Sequence, residues 1–418
     1  MYVHSHLWRL SVMFKTILHM AYRNAFLRKS RAILLVLMIG LSMGVMVGLE
    51  GLYDGMSLHM IDKTMRSDCG NISLFAKKYR LEDDIKYHIS KADEKVETLR
   101  KLPGVTYALW RIRTGGLAQT ARKSKPANLI GIDLEDEERF GRFNAFLTEG
   151  KPDFGKNGVF VGSQLANTLK LHIGSKVIFT TQDSNLEIQS VALRVKAILH
   201  TTNVNLDERA LFIPRERLTA LLALPENTAT QIAVMANTKE VTILQKHIQT
   251  LFPGLDVKRF AELYPQLKQM QELMTVFNQI TFFIVMVVVF IGILGVMYVS
   301  ILDRIREFGI LLSIGYAYRN IRLQILTEAV FLGLAGYLLG VVVGLAFLGY
   351  LTHYGLNLSV FAEGMSIFGL DSILYATIKT SYFISTFFAI MIASLLSIIL
   401  PLRKLKKLNP IEVIRNTP

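Results

Sequence analysis

The sequence predicts a membrane α-helical protein in which four transmembrane helices carry a large α+β extracytoplasmic domain, itself a βαβ lobe with an inserted, mostly-β lobe. Three observations predict it. Of 418 residues, 51% are hydrophobic and 19% are charged, a balance too apolar for an ordinary soluble domain. Four runs, residues 32–53, 275–302, 321–351 and 382–402, are long enough to cross a hydrocarbon core, which takes about 20 helical residues. The stretch between the first two, residues 54–274, is long enough for one or two compact domains with cores of their own.

The net charge of +14 would suit nucleic acid, anionic lipid or an uneven division across a bilayer, and its location decides among them. Residues 1–31 hold six basic residues and no acid, the 303–322 turn holds four arginines against two acids, and the 403–418 tail holds five basic residues against one acid. Twelve of the fourteen excess charges therefore lie on three segments that the order of the spans puts on one side. The 352–381 connection offers only Lys379 against Glu363 and Asp371. Positive loops stay inside, so both termini and the 303–320 turn are expected in the cytoplasm. The 54–274 domain is expected outside, and no nucleic-acid partner is expected.

Within residues 1–31, Leu10, Phe14, Ile17 and Ala21 recur at helical spacing while Arg9, Lys15 and Arg23 fall elsewhere around the wheel. This reads as an amphipathic helix lying on the membrane surface, with a frayed terminus as the plain alternative. The apolar run that follows is too long for a signal-peptide core and no small-residue cleavage site succeeds it, so 32–53 reads as a retained anchor.

In the outer region, Asn71–Ala76 reads as a strand, Ala92–Leu102 as a helix, and a Pro103-Gly104 turn leads into a strand through Trp110. The pattern returns as Gln231–Ala236, Lys239–Leu251 and a Pro253-Gly254 turn into Val257. Two such units, within 54–112 and 226–264, pack as one split α+β sheet. Residues 113–225 are then an insertion, where strand-like runs alternate with a short helix and Gly/Asn turns. Gly150, Gly155 and Lys156 imitate the start of a phosphate loop, but Asn157 stands where Mg²⁺ chemistry needs Ser or Thr and a strand follows, so this is a surface turn. From Pro265, well placed at a helix start, a helix through Leu302 would be about 57 Å long against a core about 30 Å thick. Residues 265–274 are then a stalk, unless Gln266–Gln271 form a kinked loop.

No HExxH or SxxK pattern occurs, the GxSxG match at Gly40–Gly44 lies inside the first apolar run, and the nine histidines are dispersed, so neither a metal site nor an acyl-enzyme site is expected. The single cysteine, Cys69, rules out an intramolecular disulfide and is assigned no role. Glu328, seven residues into the third span, is either a functional intramembrane group or the partner of Arg322 or Arg319. Gly333, Gly336, Gly340 and Gly344 let another helix approach closely, including across a dimer. The 303–320 turn has a charged start and an apolar face of Phe308, Leu311 and Leu312, as a short helix docking on a cytosolic partner needs.

The segment "DRIREFGILLSIGYAYRNIRLQILTEA" resembles the signature turn of the FtsX/MacB-type permeases, and the tail "PLRKLKKLNPIEVIRN" resembles their closing motif. The order of one span, a large outer domain and three spans is similar too, so the resemblance covers essentially the whole chain. It implies an ABC transporter of the mechanotransmission kind, with a porter-like α+β lobe and an inserted β lobe outside. The turn would be the coupling helix, with Arg304, Arg306, Glu307, Phe308, Gly309, Leu311 and Gly315 engaging a cytosolic ATPase dimer; Leu312 stands where the family often has a basic residue. It implies a second permease copy or a sister permease, and no cofactor in this chain: ATP and Mg²⁺ would be bound by the ATPase, expected as a separate subunit because only 31 residues precede the first span. The layout is most similar to lipoprotein-releasing permeases, which implies a lipoprotein or lipid-like substrate of the inner membrane. Its acyl chains would rest on Met43, Met46, Val47, Ile280 and Phe283. A MacB-like efflux permease for small molecules or peptides, an FtsX-like regulator of a wall hydrolase, and a sensor with no ATPase stand as the alternatives.

Overall fold

The computed structural model describes residues 29–406 apart from 83, 202, 239, 362–363 and 366–369. The amphipathic lead and most of the closing motif lie outside the described residues. The chain forms two compact units, one of residues up to Met56 with Glu272–Asn357 and Ile373 onward, the other of Ser57–Gln271 with Leu358–Ser372.

The first unit is helical. Its elements are the greater part of α1 (Lys29–Thr64) and of α2 (Pro265–Asp303), with α3 (Ile305–Ser313), α4 (Tyr318–His353), α5 (Thr380–Ser397) and α6 (Ile399–Lys406). Among the described residues, four helical segments are long and apolar enough to cross a membrane: α1, α2, α4 and the α5–α6 pair. Helix α1 continues well past the expected end at Tyr53, because the polar run from Asp54 to Thr64 still offers helical spacing to apolar residues such as Met56 and Met60. Helix α2 is unbroken through Gln266–Gln271, so no kinked loop forms there.

The glycines of α4 meet α1 of the same chain. A Cβ on Gly336 would fall 2.6 Å from Ile39 Cβ, and one on Gly340 2.8 Å from Met43 Cβ. The contact is reciprocal: a Cβ on Gly40 would fall 2.8 Å from Leu339 and one on Gly44 3.0 Å from Val343 Cβ. Numbers rise together along both helices, so α1 and α4 run parallel, each setting large side chains against the other's glycines.

The second unit is built on a ten-stranded mixed sheet. Its strands are β1 (Ile72–Ala76), β2 (Val105–Gln119), β3 (Ser124–Ile132), β4 (Leu147–Gly150), β5 (Gly158–Gly162), β6 (Lys176–Gln182), β7 (Ile188–Leu199), β8 (Ala210–Pro214), β9 (Gln231–Ala236) and β10 (Leu255–Arg259). The order is β10-β1-β9-β2-β3-β8-β5-β7-β4, with β6 pairing β2 and β7. The first four strands, all antiparallel, form the split βαβ arrangement. Helix Ala92–Arg100 buries Ala92, Val96 and Leu99, and helix Val241–Leu251 buries Leu244 and Ile248. Both stripes share one core with Leu74, Ile232, Val234 and Trp110, because alternate residues of a strand point to one face. Strand β2 is longer than the expected run through Trp110. It pairs with β9 up to Arg111 and with β3 from Ile112 on, so one strand joins the split βαβ part to the inserted β part.

Candidate functional site

The short helix α3 hangs from the bundle between two breaks. Arg304 leaves helical geometry after α2, and Gly315 turns the chain at φ +88°, a conformation that costs other residues a Cβ clash. Phe308 is 1% exposed and Gly309 is buried; Ile305, Leu311 and Leu312 pack onto the same core as Phe308, Ile301, Ile321 and Ile325. This corrects the expectation that the Phe308 face docks on a partner: hydrophobic spacing marks a covered face, and the cover here is the chain's own bundle. The outward face holds Arg306, Glu307, Ile310 and Ile314, with Ile314 74% exposed.

Arg304 is the hub of this corner. Its Nη1 donates to Glu328 Oε2 at 3.2 Å, its Nε donates to Glu307 Oε2 at 3.2 Å, and its guanidinium lies 5.1 Å from the Phe308 ring centre. Glu328 is buried, so its partner is Arg304 rather than Arg322 or Arg319. Helix geometry explains the correction. At about 100° per residue, Arg322 lies about 240° and Arg319 about 180° around α4 from Glu328. Arg31 and Asp303 form a second ion pair, tying the start of α1 to the end of α2.

The residues expected to receive acyl chains divide. Met43, Met46 and Val47 are fully buried, with Met43 and Val47 against the α4 glycines, so they are packing residues and not an open surface. Ile280 and Phe283 on α2 are 50% and 68% exposed. At the other end of the bundle, Tyr382 donates to Asp54 Oδ2 at 2.6 Å and Lys379 pairs with the same carboxylate.

In the sheet unit, the face away from the two helices carries a polar layer that sequence reasoning missed. Arg111, 1% exposed, is gripped by both oxygens of Glu137 and donates to the carbonyl of Asp68. The Asp68 carboxylate takes Arg113 and the Tyr264 hydroxyl, which in turn accepts from Asn203 at 3.0 Å. Burial works against the Arg111 charge, yet Glu137 and Asp68 hold its pKa above the ordinary value. Burial, reinforced by Asp68, pushes the Tyr264 phenol well up. The signal in the sequence was the alternation of Arg111 and Arg113 in the otherwise apolar run 107–113.

Ser163, His200 and Asp207 also meet, but Ser163 Oγ and Asp207 Oδ2 both contact His200 Nδ1, at 3.2 and 2.8 Å. A proton relay needs the two partners on opposite ring nitrogens, so this is not a hydrolase triad. Among the described residues, no group of three or more His, Cys, Asp or Glu is placed to hold a metal.

The family model described as the MacB-like periplasmic core domain matches residues 32–251, and that of the FtsX-like permease C-terminal domain matches residues 280–410. The chain belongs to the FtsX/MacB-type permeases. The macrolide export ATP-binding/permease protein MacB of Haemophilus ducreyi is 30% identical over 173 residues, 40% of this chain and 22% of its own. MacB 2 of Aeromonas hydrophila is 34% identical over 125 residues, 30% of this chain and 17% of its own. This permease thus spans about a fifth of the length of the curated relatives it matches. The crystal structure of the periplasmic region of MacB from Actinobacillus actinomycetemcomitans aligns with 49% of this chain and 95% of that one, at 15% identity and a TM-score of 0.32. In this FtsX/MacB-type permease, the α3 corner falls inside the FtsX-like segment, and the polar layer around Arg111 falls inside the MacB-like segment apart from Tyr264.

Proposed function

We propose that this permease couples ATP hydrolysis in a cytosolic ABC ATPase dimer to motion of its outer domain, with both membrane ends of the chain on the cytosolic side. The observation that carries the reading is the α3 corner. Phe308 is sunk in the bundle and Arg304 bridges to Glu328 on α4, so α3 cannot move without its helices. Its outward residues Arg306, Glu307, Ile310 and Ile314 are the surface for the ATPase. Helix α2, about 58 Å long by rise per residue, is the lever, and α1–α4 packing through glycines supports a rigid bundle rather than a pore. ATP and Mg²⁺ belong to the ATPase, and a second permease copy or a sister permease completes the assembly.

For the substrate, the layout supports release of a lipoprotein or lipid-like molecule from the inner membrane, with Ile280 and Phe283 as the apolar surface still open to it. The MacB-like alternative, export of a small molecule or peptide, is favoured by the macrolide export proteins among the relatives. Reconstitution with the ATPase decides. A triacylated lipoprotein that stimulates ATP hydrolysis supports release, stimulation by a macrolide supports export, and failure of any ABC ATPase to co-purify overturns the permease reading.

A further inference from the structure

We propose that the polar face of the outer domain is a binding site for a short acidic peptide segment. A cleft of about 350 Å³ opens over the sheet there, within the size range of small-ligand sites. Its floor follows from register. Phe75 stands opposite Gln231, Arg113 opposite Ile130, and Gly115 opposite Asn128, and all six line the cleft. Gln231 is itself opposite Arg111, two residues from Arg113, so the row lies on one face of the sheet.

Two buried polar atoms on this floor have no hydrogen-bond partner: Arg113 Nε and Gln231 Oε1. Buried polar atoms left unpaired are unfavourable, so a ligand that satisfies both is favoured. The orientation of the Gln231 amide is fixed by its neighbours. Ser73 Oγ donates to the Cys69 carbonyl at 2.7 Å and so accepts from Gln231 Nε2 at 2.9 Å, which leaves the Gln231 oxygen as the free acceptor. Gln231 is 1% exposed and cannot swing away. One free N–H and one free C=O on a shared face match a peptide group, which supplies the complementary C=O and N–H.

Charge sets the kind of peptide. The buried charges of Asp68, Arg111, Arg113 and Glu137 cancel, and Arg80, whose guanidinium lies 5.7 Å from the Phe75 ring centre, stands at the exposed wall. A carboxylate side chain or C-terminus is the group that Arg80 would take. Tyr79, Leu206 and Leu263 supply apolar wall for the rest of the segment.

The site is independent of the ATPase reading and is tested by binding alone. Full-length protein in lipid nanodiscs is titrated with N-acetyl-alanyl-glutamate and with N-acetyl-alanyl-lysine amide, followed by saturation-transfer NMR. The acidic probe is expected to bind at millimolar concentrations or below, and the basic probe at least about tenfold more weakly. Arg80→Glu and Asn128→Trp, both at exposed positions, are each expected to weaken the acidic probe about tenfold with an unchanged melting temperature. Absence of binding at millimolar acidic probe, equal binding of the two probes, or full binding in either variant overturns the proposal.

Discussion

Arg304 and Glu328 form a buried ion pair that joins the start of α3 to the interior of α4, with Nη1 to Oε2 at 3.2 Å and the two side chains 15% and 6% exposed. Removing Glu328 leaves Arg304 with only the exposed Glu307 as counter-charge, at a cost below the about 3 kcal/mol of a fully uncompensated buried charge. Glu328→Ala is therefore expected to lower the melting temperature in nanodiscs, whereas the double change Arg304→Met with Glu328→Leu recovers most of the loss. A double variant no more stable than Glu328→Ala would show that the charge pair is not what holds this corner.

The two faces of α3 predict opposite behaviour. Phe308→Asp puts a charge into the helical core, where Phe308 is 1% exposed, and is expected to reduce stability and yield whether or not an ATPase is present. Ile310→Asp and Ile314→Asp, at positions 49% and 74% exposed, should leave the melting temperature within a few degrees of the parent while preventing ATPase co-purification. If both exposed-face variants retain the ATPase, the assigned docking face is wrong.

Glycine packing between α1 and α4 predicts position-dependent damage. Gly336→Leu drives a side chain into Ile39, whose Cβ is already 2.6 Å from where the new Cβ would stand. Overpacking of this kind costs about 1–3 kcal/mol. Gly349→Leu on the same helix, where a Cβ meets nothing within 4 Å, is the control and is expected to melt like the parent. Equal melting temperatures for the two variants would rule out the packing argument.

Periodicity was legible in the sequence, and the identity of partners was not. The α4 glycines announced a close helix, but only the fold shows that Gly40 and Gly44 of α1 answer them. Spacing in the 303–320 turn marked Phe308 and Leu311 as one face, yet amphipathicity is silent on whether a neighbour or the chain itself covers it. Glu328 was flagged by its place in an apolar run, and its partner came from the preceding helix rather than from the nearest arginines in sequence. Tertiary pairing also explains the missed polar layer. Arg111 and Arg113 look like surface residues of an edge until β9 on one side and β3 on the other enclose β2.

Arg111 and Glu137 set up a fourth test, this one in the outer domain. Both are nearly inaccessible, at 1% and 2% exposure, and Glu137 meets the guanidinium with both oxygens. Glu137→Ala takes the bidentate partner from a buried arginine, leaving Asp68 alone to face it, and is expected to cost about 3 kcal/mol, whereas Glu137→Gln keeps an acceptor and costs less. Chemical denaturation followed by tryptophan fluorescence is the readout, because Trp110 adjoins Arg111 in the strand. Indistinguishable midpoints for Ala and Gln would remove the bidentate pair from the account.

His200 supplies a pH dependence with a definite sign. Its hydrogen bond to Asp207 raises the imidazole pKa, burial opposes the rise, and the Asp207 and Asp371 charges add to it while Lys63 subtracts. Asp207 also accepts from the Thr201 amide and hydroxyl at 2.8 Å, so it stays anchored when the histidine is neutral. A folded-state pKa above the unfolded value, about 6.5, means that protonated His200 contributes stability in full below that value. The contribution fades as pH rises through the folded pKa. His200→Gln should therefore melt lower than the parent at mildly acidic pH, with the gap closing toward alkaline pH. A gap that is constant with pH, or that widens as pH rises, would sink the assignment of this pair as a titrating contact.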